Sequence, residues 1–148
     1  MSLQERVSQE IKAAMLAKAA DRLSALRMLK SALGYAQIER KTESLPDADV
    51  VAIVQKEVKK RRDSVEQFEK GGRAELAAKE KEEIAVLEIF LPKALSPEEL
   101  EKLVRAAIQE LGATSKKDMG PVIKAVQAKA AGSADGKSIS ALVGKLLQ

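Results

Sequence analysis

Two acidic side chains are the first candidates for chemistry in this sequence. Glu80 lies four residues after Leu76 and four before Ile84, so its carboxylate lines up with an apolar helical stripe, and Glu83 lies beside it. A close pair of carboxylates can act as general acid and base. The pair can instead bind a neighbouring arginine, and we favour this interpretation because no nucleophile or phosphate-binding loop accompanies it. The candidate arginines are Arg27, Arg61 and Arg73.

A dense run of basic residues between positions 56 and 62 is a second candidate. On a helix these side chains spread over more than half of the circumference, so they do not form one flat patch. Contact with a phosphate backbone is one interpretation. We favour a solvated helix face, because no aromatic residues alternate with the basic ones to stack bases. The exposed candidates here are Lys59, Lys60 and Arg62.

The segment from Ser115 to Pro121 is a third candidate, and it resembles an anion site. A helix N-terminus, whose free N–H groups attract anions, coincides there with Lys116, Lys117 and a glycine at position 120. Asp118 could instead cap the helix, and both interpretations remain open. The sequence therefore predicts either a phosphate-binding turn or an ordinary helix start.

The distribution of charge points to the same part of the chain. Residues 1–112 contain 20 basic and 20 acidic side chains, so the net charge of +4 comes entirely from residues 113–148, where six lysines accompany two aspartates. Such an excess favours an anionic partner. The residues that we expect to contact it are Lys116, Lys117, Gly120, Lys124, Lys129 and Lys137.

The composition argues against several classes of protein. The chain has neither cysteine nor histidine, so it lacks a thiolate nucleophile, an imidazole base and the nitrogen and sulfur ligands of most transition-metal sites. We expect no catalytic residue, no metal and no cofactor. No apolar run reaches membrane-spanning length, and the first residues lack the apolar core of a signal peptide, so we expect a cytoplasmic protein without membrane contact.

Apolar periodicity predicts an all-α fold of seven helices. Apolar residues make up 45% of the chain and aromatic residues only 2%, which is typical of helices packed through Ala, Leu, Val and Ile. Spacings of three and four residues place Met15 on the buried stripe of the first helix and Leu76 on that of the fourth. The helices are expected at about residues 3–18, 21–40, 47–70, 73–91, 97–111, 116–131 and from 136 onward.

A domain boundary is expected near residue 94. Pro92 ends one helix, and Ser96, Pro97 and Glu99 form a capping box that starts the next one. We therefore expect residues 1–94 to form a four-helix antiparallel bundle or an array of helical hairpins. Residues 95–148 are expected to form a small three-helix domain.

Several short motifs follow one another along the chain. They are Arg22 with Leu26-Arg27, the run Glu57 to Ser64, Gly72-Arg73 with Glu80 and Glu83, Phe90-Leu91-Pro92, Asp118-Met119-Gly120, and Ala134-Asp135-Gly136-Lys137. Taken together, these motifs resemble the YqeY-like (GatB/YqeY) family. The likeness covers almost the entire chain, and the order and spacing of the motifs make it specific. One position differs, because Phe90 stands where the family favours tyrosine.

The resemblance implies a small C-terminal domain related to the tail of the B subunit of the glutamine-dependent tRNA amidotransferase. That tail helps dock tRNA, while catalysis takes place in other domains and subunits. We therefore expect a non-catalytic tRNA-binding module. One alternative is a protein-interaction module that docks an amidotransferase or an aminoacyl-tRNA synthetase on the exposed faces of the third and fourth helices. Carbon–nitrogen ligase activity with glutamine as amide donor is implied by family association only, since the chain lacks the amidase Ser-Ser-Lys arrangement.

Overall fold

The computed structural model describes residues 1–147, which form seven α-helices, one 3₁₀ turn and no β-strand. The predicted all-α class is confirmed. None of these helices combines the length and apolarity needed to cross a membrane. The helices are α1 (Leu3–Leu16), α2 (Ala20–Arg40), α3 (Asp47–Lys70), α4 (Ala74–Glu88), α5 (Pro97–Leu111), α6 (Met119–Ala130) and α7 (Gly136–Leu146), with the 3₁₀ turn at Lys116–Asp118.

The chain divides into two compact units, the first spanning Met1–Leu91 and the second beginning at Pro92. This division lies three residues before the boundary expected from the sequence. In the first unit α3 packs along α4, α1 packs along α2, and α2 also contacts α3 and α4. The buried side chains of its single core are Val7, Ile11, Ala14, Leu26, Leu29, Leu33, Leu45, Val50, Val54, Val58, Ile84, Leu87 and Phe90.

Two side chains expected in this core lie at the surface. Met15 is 52% exposed and Leu76 is 40% exposed, whereas the adjacent Ala14 and Ala77 are buried. A step of four residues exceeds one helical turn by about 40°, so three such steps from Leu3 rotate Met15 by about 120°. The stripes therefore continue through alanines rather than through the larger residues.

The second unit begins as its local sequence predicts. The Ser96 hydroxyl accepts a hydrogen bond from the Glu99 N–H at 3.1 Å, and the Glu99 carboxylate accepts one from the Ser96 N–H at 3.2 Å. Helix α5 ends at Gly112, whose φ of 64° suits glycine. Helices α5, α6 and α7 all contact one another. The buried side chains of the core that they enclose are Leu100, Val104, Ala107, Val122, Val126, Ile139, Val143 and Leu147.

Removal of the capping hydroxyl should weaken the start of α5. We expect Ser96→Ala to lower the free energy of unfolding of the second unit by about 1 kcal/mol, because the Glu99 N–H loses its acceptor. Amide hydrogen exchange in the first turn of α5 measures this directly. The control is Ser8→Ala within α1, where alanine is the better helix former. Unchanged exchange in Ser96→Ala would contradict the prediction.

Candidate functional site

One buried arginine joins the two candidate carboxylates. Arg61 on α3 is only 7% exposed, and its Nη1 donates to Glu83 Oε2 and lies 3.2 Å from Glu80 Oε2 on α4. Glu83 is itself 8% exposed. On the other side of the guanidinium, Nη2 lies 3.4 Å from Met28 Sδ on α2. A single side chain therefore connects three helices of the first unit.

This arrangement favours a structural role for the acidic pair. A general base needs a carboxylate lone pair that can reach a substrate proton. Glu80 and Glu83 both face the same guanidinium, and the pairing compensates the cost of burying their charges. Within residues 1–147, no group of three or more acidic side chains is arranged to hold a metal ion.

The other two candidate arginines do not share this cluster. Arg27 lies on the exposed side of α2, and Arg73 immediately precedes α4. Arg73 is seven residues from Glu80, which is about 10 Å along a helix axis. Neither arginine forms an ion pair in the described part of the chain. Of the three alternative arginines, Arg61 is the one that pairs with Glu80 and Glu83.

The basic run on α3 is partly neutralised by nearby acids. Lys60 Nζ lies 3.5 Å from Glu57 Oε1, one helical turn earlier. Arg62 Nη2 lies 3.4 Å from Glu88 Oε1 on α4. Lys59 is exposed. These contacts resemble a solvated helix face more than a surface prepared for phosphates.

The lysines of the second unit differ in this respect. All six lysines of residues 113–147 are exposed. Lys129 Nζ lies 2.9 Å from Glu110 Oε2 on α5, so this expected anion contact already has an acidic partner. The other five form no ion pair with any described acid. We call them the free lysines, and they are Lys116, Lys117, Lys124, Lys137 and Lys145.

Close contacts show how α6 and α7 distribute these charges. A methyl group on Gly144 would lie 3.5 Å from Met119 Cε, and one on Gly136 would lie 3.4 Å from Gln127 Nε2. The start of α7 therefore lies beside the end of α6, so the two helices run antiparallel. Lys145, near the end of α7, therefore lies at the same end of this helix pair as Lys116 and Lys117. Lys137, near the start of α7, lies at the opposite end.

Asp118 limits the expected anion site at the start of α6. Its Oδ2 accepts hydrogen bonds from the N–H groups of Thr114 at 3.0 Å and Ser115 at 3.4 Å. These donors precede the 3₁₀ turn, and the Asp118 side chain makes no capping hydrogen bond to the start of α6. Gly120 is exposed, and a Cβ there would meet no atom within 4 Å, so packing does not require glycine at this position. The exposed Lys116 and Lys117 beside it remain available to an anion.

The sequence interpretation missed an exposed apolar face on α2. Tyr35 is 75% exposed, Ile38 is 76% exposed and Met28 is 55% exposed. The steps of seven and three residues between these positions place all three on one side, away from the buried leucines. The signal was present as a second helical stripe, but the stronger leucine stripe of the same helix concealed it.

The fold and these features define an all-α protein of two helical units with a buried ion-pair cluster in the first and an exposed basic surface in the second. The chain matches the protein-family model described as "Yqey-like protein" over residues 4–147. It therefore belongs to the YqeY-like family.

Two fungal proteins are similar to this chain. An uncharacterised protein of Schizosaccharomyces pombe is 34% identical over 92 residues, which cover 62% of this chain and 74% of that protein. A protein of Vanderwaltozyma polyspora named "Altered inheritance of mitochondria protein 41, mitochondrial" is 26% identical over 107 residues. That alignment covers 71% of this chain and 58% of the relative.

Proposed function

We propose that this chain is a non-catalytic tRNA-binding module whose second unit contacts RNA phosphates. The observation that carries the proposal is the set of five free lysines, which are exposed and lack a described acidic partner. Exposed ammonium groups bind phosphates by charge and release counterions in doing so. The pairing of Lys129 with Glu110 makes that lysine a weaker contact than the other five.

The chemistry of the second unit favours structured RNA over single strands. All three aromatic residues of the chain precede position 91, so the second unit has no ring on which unpaired bases could stack. Lysines on a helical surface instead recognise the shape and the phosphates of folded RNA. The resemblance to the amidotransferase B-subunit tail, which helps dock tRNA, agrees with this choice.

Protein docking on α3 and α4 has less support. Among the described residues of these two helices, Leu76 is the only exposed large apolar side chain. Interface cores are enriched in aromatic and other apolar residues, which this face lacks. An amidotransferase or synthetase partner at this face is therefore the weaker proposal. Catalysis by the acidic pair is weaker too, because Arg61 already engages both carboxylates.

The cytoplasm is the compartment that we propose, because it contains folded tRNA. The name of the Vanderwaltozyma relative places that protein in mitochondria, which also contain tRNA. The RNA chemistry proposed for the second unit is the same in either compartment.

The salt dependence of tRNA binding tests the proposal. If each free lysine neutralises one phosphate, the slope of log K against log salt should be about −3.5 to −4.5. Raising salt from about 50 mM to 200 mM should then weaken binding by roughly 100-fold or more. Fluorescence anisotropy with a labelled tRNA transcript measures both quantities.

The control for this experiment is an unstructured RNA of the same length and charge. We expect it to bind more weakly than tRNA, since shape contributes to recognition. If tRNA does not bind at about 50 mM salt with protein near 100 µM, a concentration that reveals even typical non-specific affinity, the proposed function is wrong.

A further inference from the structure

Helix α2 carries an uninterrupted exposed stripe on the side away from its buried leucines. Successive members are three or four residues apart and therefore share one face. In the C-terminal half of this stripe the large side chains Tyr35 and Ile38 project, with about three quarters of their surface exposed. We call this face the α2 stripe, and its members are Ala20, Ser24, Arg27, Met28, Ser31, Tyr35 and Ile38.

The N-terminal half of the α2 stripe is concave. An open groove of about 390 Å³ lies there. Tyr35 and Ile38 lie four and seven residues after Ser31, and the groove residues Arg27 and Ser24 lie four and seven residues before it. The groove is lined by Ala20, Leu23, Ser24, Arg27, Met28 and Ser31.

We propose that two copies of this chain associate through antiparallel α2 helices, with a two-fold axis at Ser31. In this register Ser24 of one copy faces Ile38 of the other, because both are seven residues from Ser31. Likewise, the Arg27 guanidinium of one copy faces the Tyr35 ring of the other, because both positions are four residues from Ser31. The large side chains of each copy therefore fill the groove of the other, as a symmetric two-fold interface requires.

The charges of α2 agree with this register. Arg27 is the only charged member of the α2 stripe, and it forms no ion pair within residues 1–147. Facing an aromatic ring gives its cation a favourable partner at the interface.

The area of the α2 stripe suits a dimer of modest affinity. From Ala20 to Ile38 the stripe is about 27 Å long. Tyr35, Ile38 and Met28 together supply roughly 200–300 Å² of apolar surface per copy. Together with the smaller residues and the flanks, two copies reach about 1,000 Å² of buried surface, which is near the lower end for a specific interface. In a parallel pair of α2 helices, the two Tyr35 rings would instead face each other and both grooves would stay empty.

Sedimentation equilibrium of the full chain without RNA tests the association. With a contact of this size we expect dimers near 100 µM that dissociate upon dilution to about 1 µM. Ile38→Glu should abolish the dimer, because each copy would bury a carboxylate in the apolar groove. The control is Leu111→Glu, which changes an apolar residue of the second unit that is 51% exposed. A monomeric wild type, or a dimer that survives Ile38→Glu, overturns the proposal.

Cysteine cross-linking tests the register, and the chain has no native cysteine. Helices packed about 8–10 Å apart bring facing positions within disulfide reach. Ser31→Cys should therefore form a covalent dimer on mild oxidation. Ser24→Cys alone should not, since its two copies would be about 21 Å apart. The double variant with Ser24→Cys and Ile38→Cys should cross-link again.

The exposed Ser8→Cys is the background control for this oxidation. Cross-linking of Ser24→Cys alone, or of Ser31→Cys only as slowly as Ser8→Cys, overturns the antiparallel arrangement. Far-UV circular dichroism of each variant confirms that the helices remain folded. Because no RNA is present, failure of these experiments leaves the proposed RNA binding unaffected.

Discussion

Arg61→Ala should lower the free energy of unfolding of the first unit by about 3–5 kcal/mol, because it leaves the buried Glu83 carboxylate without its cation. Glu83 is 8% exposed and receives a hydrogen bond from Arg61 Nη1, and Glu80 lies 3.2 Å from the same atom. Urea unfolding followed by circular dichroism measures the loss. Hydrogen exchange in α3 and α4 assigns the loss to the first unit.

A surface ion pair of the same unit provides the control for Arg61→Ala. Arg22 Nη2 lies 2.6 Å from Glu10 Oε2, but the two side chains are 39% and 28% exposed. Arg22→Ala should therefore cost at most about 1 kcal/mol. Equal losses of unfolding free energy in the two variants would show that burial does not determine how strongly the Arg61 cluster stabilises the first unit.

Removal of all three charges distinguishes a structural role of the cluster from a functional one. Buried ion pairs can often be replaced by well-packed apolar residues without loss of stability. We expect the triple variant Arg61→Met, Glu80→Leu, Glu83→Leu to recover most of the stability lost in Arg61→Ala. RNA affinity should be unchanged in this variant, since the free lysines belong to the second unit. A marked loss of RNA binding by the folded triple variant would instead give the cluster a direct role.

Local sequence signals predicted the helix boundaries of this protein well. The Ser96 capping box and Gly112 delimit α5, and α3 spans the predicted residues 47–70. These signals act between neighbours in the chain, so they do not depend on tertiary packing. The positions of Met15 and Leu76 were wrong because small errors in the assumed period accumulate along a helix.

The site was less predictable, because its contacts join different helices. The sequence placed Glu80 in an apolar stripe and offered three arginines, but choosing Arg61 requires the register between α3 and α4. Likewise, the charge excess located the basic segment without revealing that Lys129 pairs with Glu110 on α5. Periodicity describes one helix at a time, and such pairings depend on how two helices pack.

Reversal of two free lysines should have the largest effect on RNA binding. Both Lys116 and Lys117 are exposed and form no ion pair with described acids, so their replacement should leave the fold intact. Each phosphate contact contributes roughly eightfold to affinity at about 0.1 M salt. Lys116→Glu with Lys117→Glu should therefore weaken tRNA binding by at least about 50-fold and flatten the salt slope by about 2.

The matched control reverses two adjacent lysines on α3. Lys59→Glu with Lys60→Glu changes the net charge by the same amount, but Lys60 already has Glu57 as its partner. If RNA responds only to overall charge, the two double variants will lose affinity equally, and the assignment of binding to the second unit will be wrong. If RNA contacts the second unit, anisotropy will show the large loss only for the pair in the 3₁₀ turn.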